Sequence, residues 1–461
     1  MKFSTKLLHG MSKSYPNGAT LPPVSQVSAF TYESSEALEK VFGNRAPGFA
    51  YTRIGNPTVD AFERRICELE GGVGAVACSS GMAAVTMSLL NILQAGDEVI
   101  AASGLFGGTI DLLGDLGSFG ITARFVRHMT AREIEPLIHD NTKVIFGELI
   151  GNPALDVMDV RAVAKLAHGR GIPLIVDATT ATPYLIRPFE YGADIVVHSS
   201  SKYINGGGNS ISGIIVDGGS FQWDSERYPG MKRYLSYGPF AYTAKLRNGI
   251  WRNMGACLAP ANAFLNVVGL ETLGLRMERI CQNARALAEE IARLSHGQVL
   301  ELAQAQVHEQ TREQAKKSEQ TREQVQKSEQ VREQNKKSEQ DEQGVNGGLS
   351  VNYPTLPESS YRALAESQFG GKGGGILTVR VGSKEKAYQL MDSLKYAKKA
   401  TNIGDVRTLV IHPASTIYVH ASEEQKAAAG VYDDLIRVSV GIEDTEDLVE
   451  DFTAAIAAIR K

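Results

Sequence analysis

The sequence predicts an α/β protein: a mostly parallel central sheet with helices on both faces, plus a smaller C-terminal α+β domain. Three observations predict it. Short apolar runs alternate with helical patterns from about residue 61 to 255. Those runs are apolar at successive positions, as in strands covered on both sides. With 461 residues, the chain has length for more than one core.

The first of these runs is Val73-Gly74-Ala75-Val76-Ala77-Cys78, with a helical pattern from Met82 to Leu93 behind it. Glu98–Ala101, Lys143–Phe146, Pro173–Val176 and Asp194–Val197 continue the series. Residues 1–60 are irregular and rich in Gly, Pro and aromatics, and read as an N-terminal arm. Asn262–Leu294 reads as one long helical region, with apolar positions at Phe264, Val267, Leu270, Leu273 and Leu275. Gly375–Val379 and Leu435–Val440 are strand-like and belong to a C-terminal domain over 256–461.

That domain is interrupted at about 305–345. Glu309–Ser338 is three copies of a ten-residue unit, EQTREQAKKS, EQTREQVQKS and EQVREQNKKS, with a partial fourth from Glu339. Almost without apolar residues, the segment cannot bury enough surface to offset the entropy of ordering. Ten residues also match neither the seven- nor the eleven-residue repeat of coiled coils. It reads as a polar insertion without a catalytic role; the alternative is a partner-docking element.

Composition narrows the function classes. A net charge of −4 calls for neither nucleic acid nor an anionic membrane as partner. No run approaches the roughly 18 apolar residues of a membrane span, and Met1–Lys6 lacks the apolar core of a signal peptide. Cys67, Cys78, Cys257 and Cys281 form no C-x-x-C pair, which favours reduced thiols in the cytoplasm over disulfides or a metal site.

Four groups fall where the strands of such a sheet end, the place where ligands lie in open α/β sheets. Lys202 follows Val196-Val197-His198-Ser199-Ser200-Ser201; an amine flanked by hydroxyls can form a Schiff base with an aldehyde cofactor that carries a phosphate. On its own, a lysine there is more often a solvated loop residue, and the case depends on what else converges on it. Ser79-Ser80-Gly81-Met82-Ala83 opens a helix, whose free N–H groups and dipole suit an anion. Asp177 ends a strand, and a buried carboxylate needs a cation such as the protonated ring nitrogen of pyridoxal phosphate, or else serves as a cap or salt bridge. Glu148 ends another strand, with Asn152-Pro153 four residues on, where Asn152 could donate to a ring hydroxylate or simply make a turn.

With these residues the chain resembles the cystathionine γ-synthase-like family of pyridoxal-phosphate enzymes of Cys and Met metabolism, and within it the O-acetylhomoserine sulfhydrylase branch. The stretches that carry the resemblance include Tyr51-Thr52-Arg53-Ile54-Gly55-Asn56-Pro57-Thr58 and Ser79-Ser80-Gly81-Met82. Gly238-Pro239-Phe240-Ala241, Arg276-Met277-Glu278-Arg279, Asn402-Ile403-Gly404-Asp405 and His412-Pro413-Ala414-Ser415-Thr416 add to it.

The resemblance implies a fold type I transferase with pyridoxal 5'-phosphate on Lys202, which also shuttles protons. It implies that Asp177 pairs with the ring nitrogen, that Gly81, Met82, Ser199 and Ser201 bind the phosphate, and that Phe106 stacks on the ring. Tyr51 and Arg53 would reach the phosphate of a neighbouring subunit, so the site needs at least a dimer; the family is usually tetrameric. Arg437 would clamp the substrate carboxylate, with Asn402 beside it. The implied reaction replaces the acetate of O-acetylhomoserine by sulfide or a small thiol; cystathionine γ-synthase, a methionine γ-lyase and a non-catalytic binding member are the alternatives. Phe106-Gly107-Gly108-Thr109 departs from the family, which usually has a tyrosine at the first position, and Gly108 lacks the cysteine of methionine γ-lyases. Gly206-Gly207-Gly208-Asn209, where a histidine is usual, and Ser25, where an aromatic is common, depart as well.

Overall fold

The computed structural model describes residues 1–10, 15–296 and 348–460; the repeat at 309–343 lies outside them. Seven strands form the first sheet: β1 (Gly74–Cys78), β2 (Glu98–Ala102), β3 (Thr122–Val126), β4 (Thr142–Glu148), β5 (Leu174–Asp177), β6 (Ile195–His198) and β7 (Gly213–Asp217). Their order is β1-β7-β6-β5-β4-β2-β3. β3, β2, β4, β5 and β6 pair in parallel, whereas β7 runs antiparallel to both β6 and β1. All strands but β7 therefore point the same way, and their C-terminal ends share one edge.

Two-sided burial explains the continuous apolar runs. Ile145, Leu174, Val176 and Val196 enter one core and Val144, Phe146, Ile175, Ile195 and Val197 the other. That is the period of two expected of strands, with both faces covered. Two strands escape the sequence pattern. β3 is the sheet edge, its residues Thr122–Phe125 partly or fully exposed; β7 follows β6 with no helix between, outside the β-helix-β rhythm.

The second sheet has the order β10-β11-β12-β9-β8, from β8 (Ser350–Asn352), β9 (Ile376–Arg380), β10 (Lys398–Lys399), β11 (Leu409–Ile411) and β12 (Leu435–Ser439). Alternate residues of β12 take different faces. Ile436 and Val438 pack with Leu390, Leu448 and Phe452 from the helices Lys384–Ser393 and Thr445–Ala458. Arg437 lies on the opposite face, toward the first sheet. Ile376, Ile403 and Phe369 join the first core beside Tyr203 and Ile204, so the two sheets share a packed boundary.

The long helical region is broken. The helix Pro260–Glu271 ends at Thr272, and a second helical run covers 273–296. Leu275 is 73% exposed, outside the core the periodicity implied. The break frees Arg276 to donate to the carbonyls of Tyr203 (2.5 Å), Ile204 (3.2 Å) and Gly269 (2.7 Å). Among the described residues no helix is long and apolar enough to cross a membrane.

Candidate active site

Lys202 sits in a turn fixed from three sides. At the end of β6, His198 turns into the core and meets Glu70 at 2.6 Å, both side chains fully buried. The Lys202 amide donates to Ser199 O (3.2 Å) and the Gly206 amide to Lys202 O (2.8 Å). Arg276 holds the carbonyls of the two residues that follow. From the second sheet comes Asn402-Ile403-Gly404-Asp405. Gly404 has φ +71, and a Cβ there would lie 2.5 Å from the Tyr203 nitrogen; only glycine combines that conformation with that approach. The Gly404 amide donates to Ser439 Oγ (3.0 Å). So placed, Asn402 accepts from Lys202 Nζ at 2.5 Å and its carbonyl from Arg437 Nη2 at 2.9 Å.

These groups border a cavity of about 240 Å³ at the C-terminal edge of β1, β4, β5 and β6. Gly81, Met82, Phe106, Asn152, Asp177, Ser199, Ser201, Lys202 and Arg437 line it. Asn402 touches Lys202 and Arg437, with its neighbours Thr401 and Ile403 in the wall. Tyr51 and Arg53 are not brought to this cavity: Arg53 donates to Arg252 O (2.9 Å) and stacks on the Tyr51 ring, which is 42% exposed. Ser201 lines the wall, but its hydroxyl donates to Ser212 O (3.0 Å) and accepts from Ser212 N (2.8 Å).

The residue reading missed several lining groups. Thr179 bridges two sites, its amide donating to Asp177 Oδ1 (2.9 Å) and its hydroxyl accepting from Ser199 N (2.8 Å). The signal was an Asp with its own backbone amide two residues on, an Asx-type turn. Thr109 and Thr180 also line the cavity, as does Glu148, which the reading noted but gave no task. Phe106 forms an outer wall, 38% exposed, and a Cβ at Gly108 would lie 2.8 Å from its ring.

The electrostatics are those of a site built for charged small molecules. Burial, then the Arg437 cation, lower the Lys202 amine to about 8. At pH 7 roughly a tenth of it is then neutral, against a vanishing fraction for an ordinary lysine. Burial alone raises Asp177, and burial plus the Asp177 charge raises Glu148 to about 8. The two carboxyls are register partners on β4 and β5, with no Lys or Arg in ion-pair contact among the described residues. Burial lowers Arg437 to about 10; it is 2% exposed, and its Nε has no partner.

Pyridoxal phosphate fits this donor set. A Cβ at Gly81 would lie 2.5 Å from Ser199 Cβ, so the turn before the helix Gly81–Leu90 comes as close to Ser199 as backbone allows. Ser80 takes the Ala83 amide, and the first-turn amides of Gly81 and Met82 have no acceptor within the helix and suit a phosphate. Asp177 suits a protonated ring nitrogen, which would offset the repulsion from Glu148.

Comparison with known proteins places the chain in one family. The family model for Cys/Met metabolism PLP-dependent enzymes matches residues 4–341 and 340–457. The chain is similar to the O-acetyl-L-homoserine sulfhydrylase of Corynebacterium glutamicum, 36% identical with 99% of this chain and 97% of the relative covered. It is similar to the homocysteine synthase of Schizosaccharomyces pombe, 34% identical over 98% of both. Among solved structures, an O-acetylhomoserine (thiol)-lyase from Campylobacter jejuni, holding a pyridoxyl-lysine phosphate, superposes with a TM-score of 0.83 at 29% identity, covering 99% of this chain and all of that one.

Proposed function

This chain belongs to the Cys/Met metabolism PLP-dependent enzymes, and on that premise we propose that it is an O-acetylhomoserine sulfhydrylase. It exchanges the acetate of O-acetyl-L-homoserine for sulfide, giving L-homocysteine, or for methanethiol, giving methionine. The observation that carries the reading is one buried cation, Arg437, with a free Nε, joined through Asn402 to an amine of lowered basicity on Lys202. That pairing suits an amino acid held by its carboxylate beside a group that moves protons.

Bound against Lys202, pyridoxal phosphate supplies an aldehyde that takes up amines and a ring that spreads negative charge from the substrate Cα. Asp177 keeps the ring nitrogen protonated. The first-turn amides at Gly81 and Met82, with Ser199, hold the phosphate, and Ser201 braces the Ser212 segment. Arg437, which borders the cavity, holds the substrate α-carboxylate with its guanidinium and fixes which Cα–H faces Lys202. Lys202 takes the Cα proton and then moves protons at Cβ, so that acetate leaves from Cγ and sulfide adds there. Phe106 has no proton to offer the leaving group and none is needed: a carboxylate leaves as the anion of an acid near 4.3, roughly four units below a thiol.

Further parts of the reading belong with it. Residues 1–60 are an arm toward a neighbouring subunit, supported by exposed Val24, Val27, Leu38, Phe42 and Tyr51. Tyr51 and Arg53 serve a neighbouring subunit's phosphate, in a homotetramer of the cytoplasm. Residues 61–255 carry the cofactor and 256–461 close over it. The test is one assay with three mixtures: O-acetylhomoserine with sulfide, the same ester with cysteine, and methionine alone. Homocysteine from the first mixture in clear excess is expected. Cystathionine from the second, or methanethiol from the third, as the faster product would overturn the assignment.

A further inference from the structure

Glu148 stands at the partition between two cavities. It lines the site described above and also a larger one of about 570 Å³, lined by Gly104, Leu105, Gly151 and Asp156. Its carboxylate is shared between the loops that form this partition. Oε1 accepts from the Phe106 amide at 2.6 Å and Oε2 from the Asn152 amide at 3.2 Å. Phe106 follows β2 and Asn152 follows β4, so one side chain ties two strand-end loops together.

The bonds do not stop there. Asn152 Oδ1 accepts from Arg437 Nη1 (3.3 Å), Asn402 O from Arg437 Nη2 (2.9 Å), and Asn402 Oδ1 from Lys202 Nζ (2.5 Å). The result is a continuous path from the ring-face residue Phe106 through Glu148, Asn152, Arg437 and Asn402 to Lys202. Glu148 is the one acidic link in it. A carboxylate is also the only side chain that can accept from two backbone amides in this way; an amide can offer one oxygen, and its NH2 would face a donor.

We propose that Glu148 is a positioning residue: its carboxylate, by accepting from the amides of Phe106 and Asn152, sets where the Arg437 guanidinium meets the substrate carboxylate. The inference rests on the function proposed above and deepens it. Both Glu148 oxygens are taken up by backbone amides, and it acts through Asn152. Burial and the Asp177 charge oppose ionisation of Glu148, and a cation seated on Asp177 would relieve the second of these. The two amide bonds would then be strongest when the site is loaded.

The test is Glu148→Gln in the full chain with pyridoxal phosphate bound. Its KM for O-acetylhomoserine should rise about tenfold while kcat falls less than about threefold, since a misplaced clamp weakens ground and transition state alike. Binding of L-norvaline, which has the substrate's carboxylate and amine but no leaving group, should weaken by the same factor. Absorbance near 420 nm at saturating cofactor should match the parent. Glu148→Asp keeps the charge but cannot span both amides, and gives the same split where the glutamine variant fails to accumulate. Unchanged norvaline binding in a folded, loaded variant would overturn the inference. So would a loss confined to kcat. Failure of the parent protein to turn over O-acetylhomoserine would instead overturn the functional reading, which the norvaline measurement does not depend on.

Discussion

Replacing Arg437 by lysine isolates what the guanidinium does beyond carrying charge. Arg437 is 2% exposed, gives Nη1 to Asn152 and Nη2 to Asn402, and keeps Nε free. A lysine in β12 keeps the cation but offers one nitrogen in place of three along a planar fork. If that nitrogen replaces the Nη2 bond to Asn402, the substrate carboxylate loses a charge-assisted hydrogen bond, about 1.5–3 kcal/mol. That is roughly a 10- to 150-fold fall in kcat/KM, expressed mainly in KM. The assay is homocysteine formation across a range of O-acetylhomoserine concentrations, with cofactor absorbance and melting temperature as controls. Arg437→Met adds an independent check. Arg437 is the second cause that holds Lys202 near 8, so removing the cation lets the amine rise and slows cofactor uptake at pH 7, whereas Arg437→Lys leaves it low. A folded, loaded Arg437→Lys variant within about threefold of the parent in kcat/KM would refute the carboxylate clamp.

Other expectations follow from the same geometry. Lys202→Ala should abolish turnover and the absorbance near 420 nm together, and full activity without the amine would end the mechanism. Because burial lowers the Lys202 amine to about 8, uptake of pyridoxal phosphate by the stripped protein should quicken with pH and level off near that value; a rise continuing to pH 10 would contradict the lowered basicity. Phe106→Tyr should leave turnover of the acetyl ester little changed, and a many-fold gain would show that the leaving group needs a proton. Deleting residues 309–343 should keep kcat/KM within about twofold if the repeat has no catalytic role; a larger fall would assign it one.

Much of the site was legible because its residues lie at strand ends, where a linear pattern betrays them. An apolar run followed by Lys202, another ended by Asp177, and a small-residue turn at Gly81 each needed only local reading. The parallel sheet was legible for the same reason: both faces are buried, so β4, β5 and β6 each carry an unbroken run of three apolar residues. What failed was non-local or lay at an edge. β3 has one covered flank and no apolar run. The helix break at Thr272 answers to Arg276, whose acceptors Tyr203 and Ile204 lie far away in sequence. The Ser201 hydroxyl, which lines the cavity, also bonds to Ser212, a pairing no local pattern reveals.

The second sheet brings the Arg437 guanidinium, with Asn402 beside it, to a cavity that the first sheet opens. Arg437 faces it because β12 alternates, so a one-residue slip in register would bury Ile436 or Val438 against the site and turn the guanidinium into the apolar face with Leu448 and Phe452. Register is held by pairing on both sides of β12, with Arg437 opposite Thr378 and Ile411. It is held again by Ser439, two residues on and on the same face, which takes the Gly404 amide. The segment that carries Asn402 to Lys202 is thereby anchored by the strand that carries Arg437. Carboxylate clamp and proton carrier are set by one structural unit, so a displacement of β12 as a whole moves both together, whereas a change confined to the Arg437 side chain, such as Arg437→Lys, alters the clamp and leaves the placement of Lys202 intact.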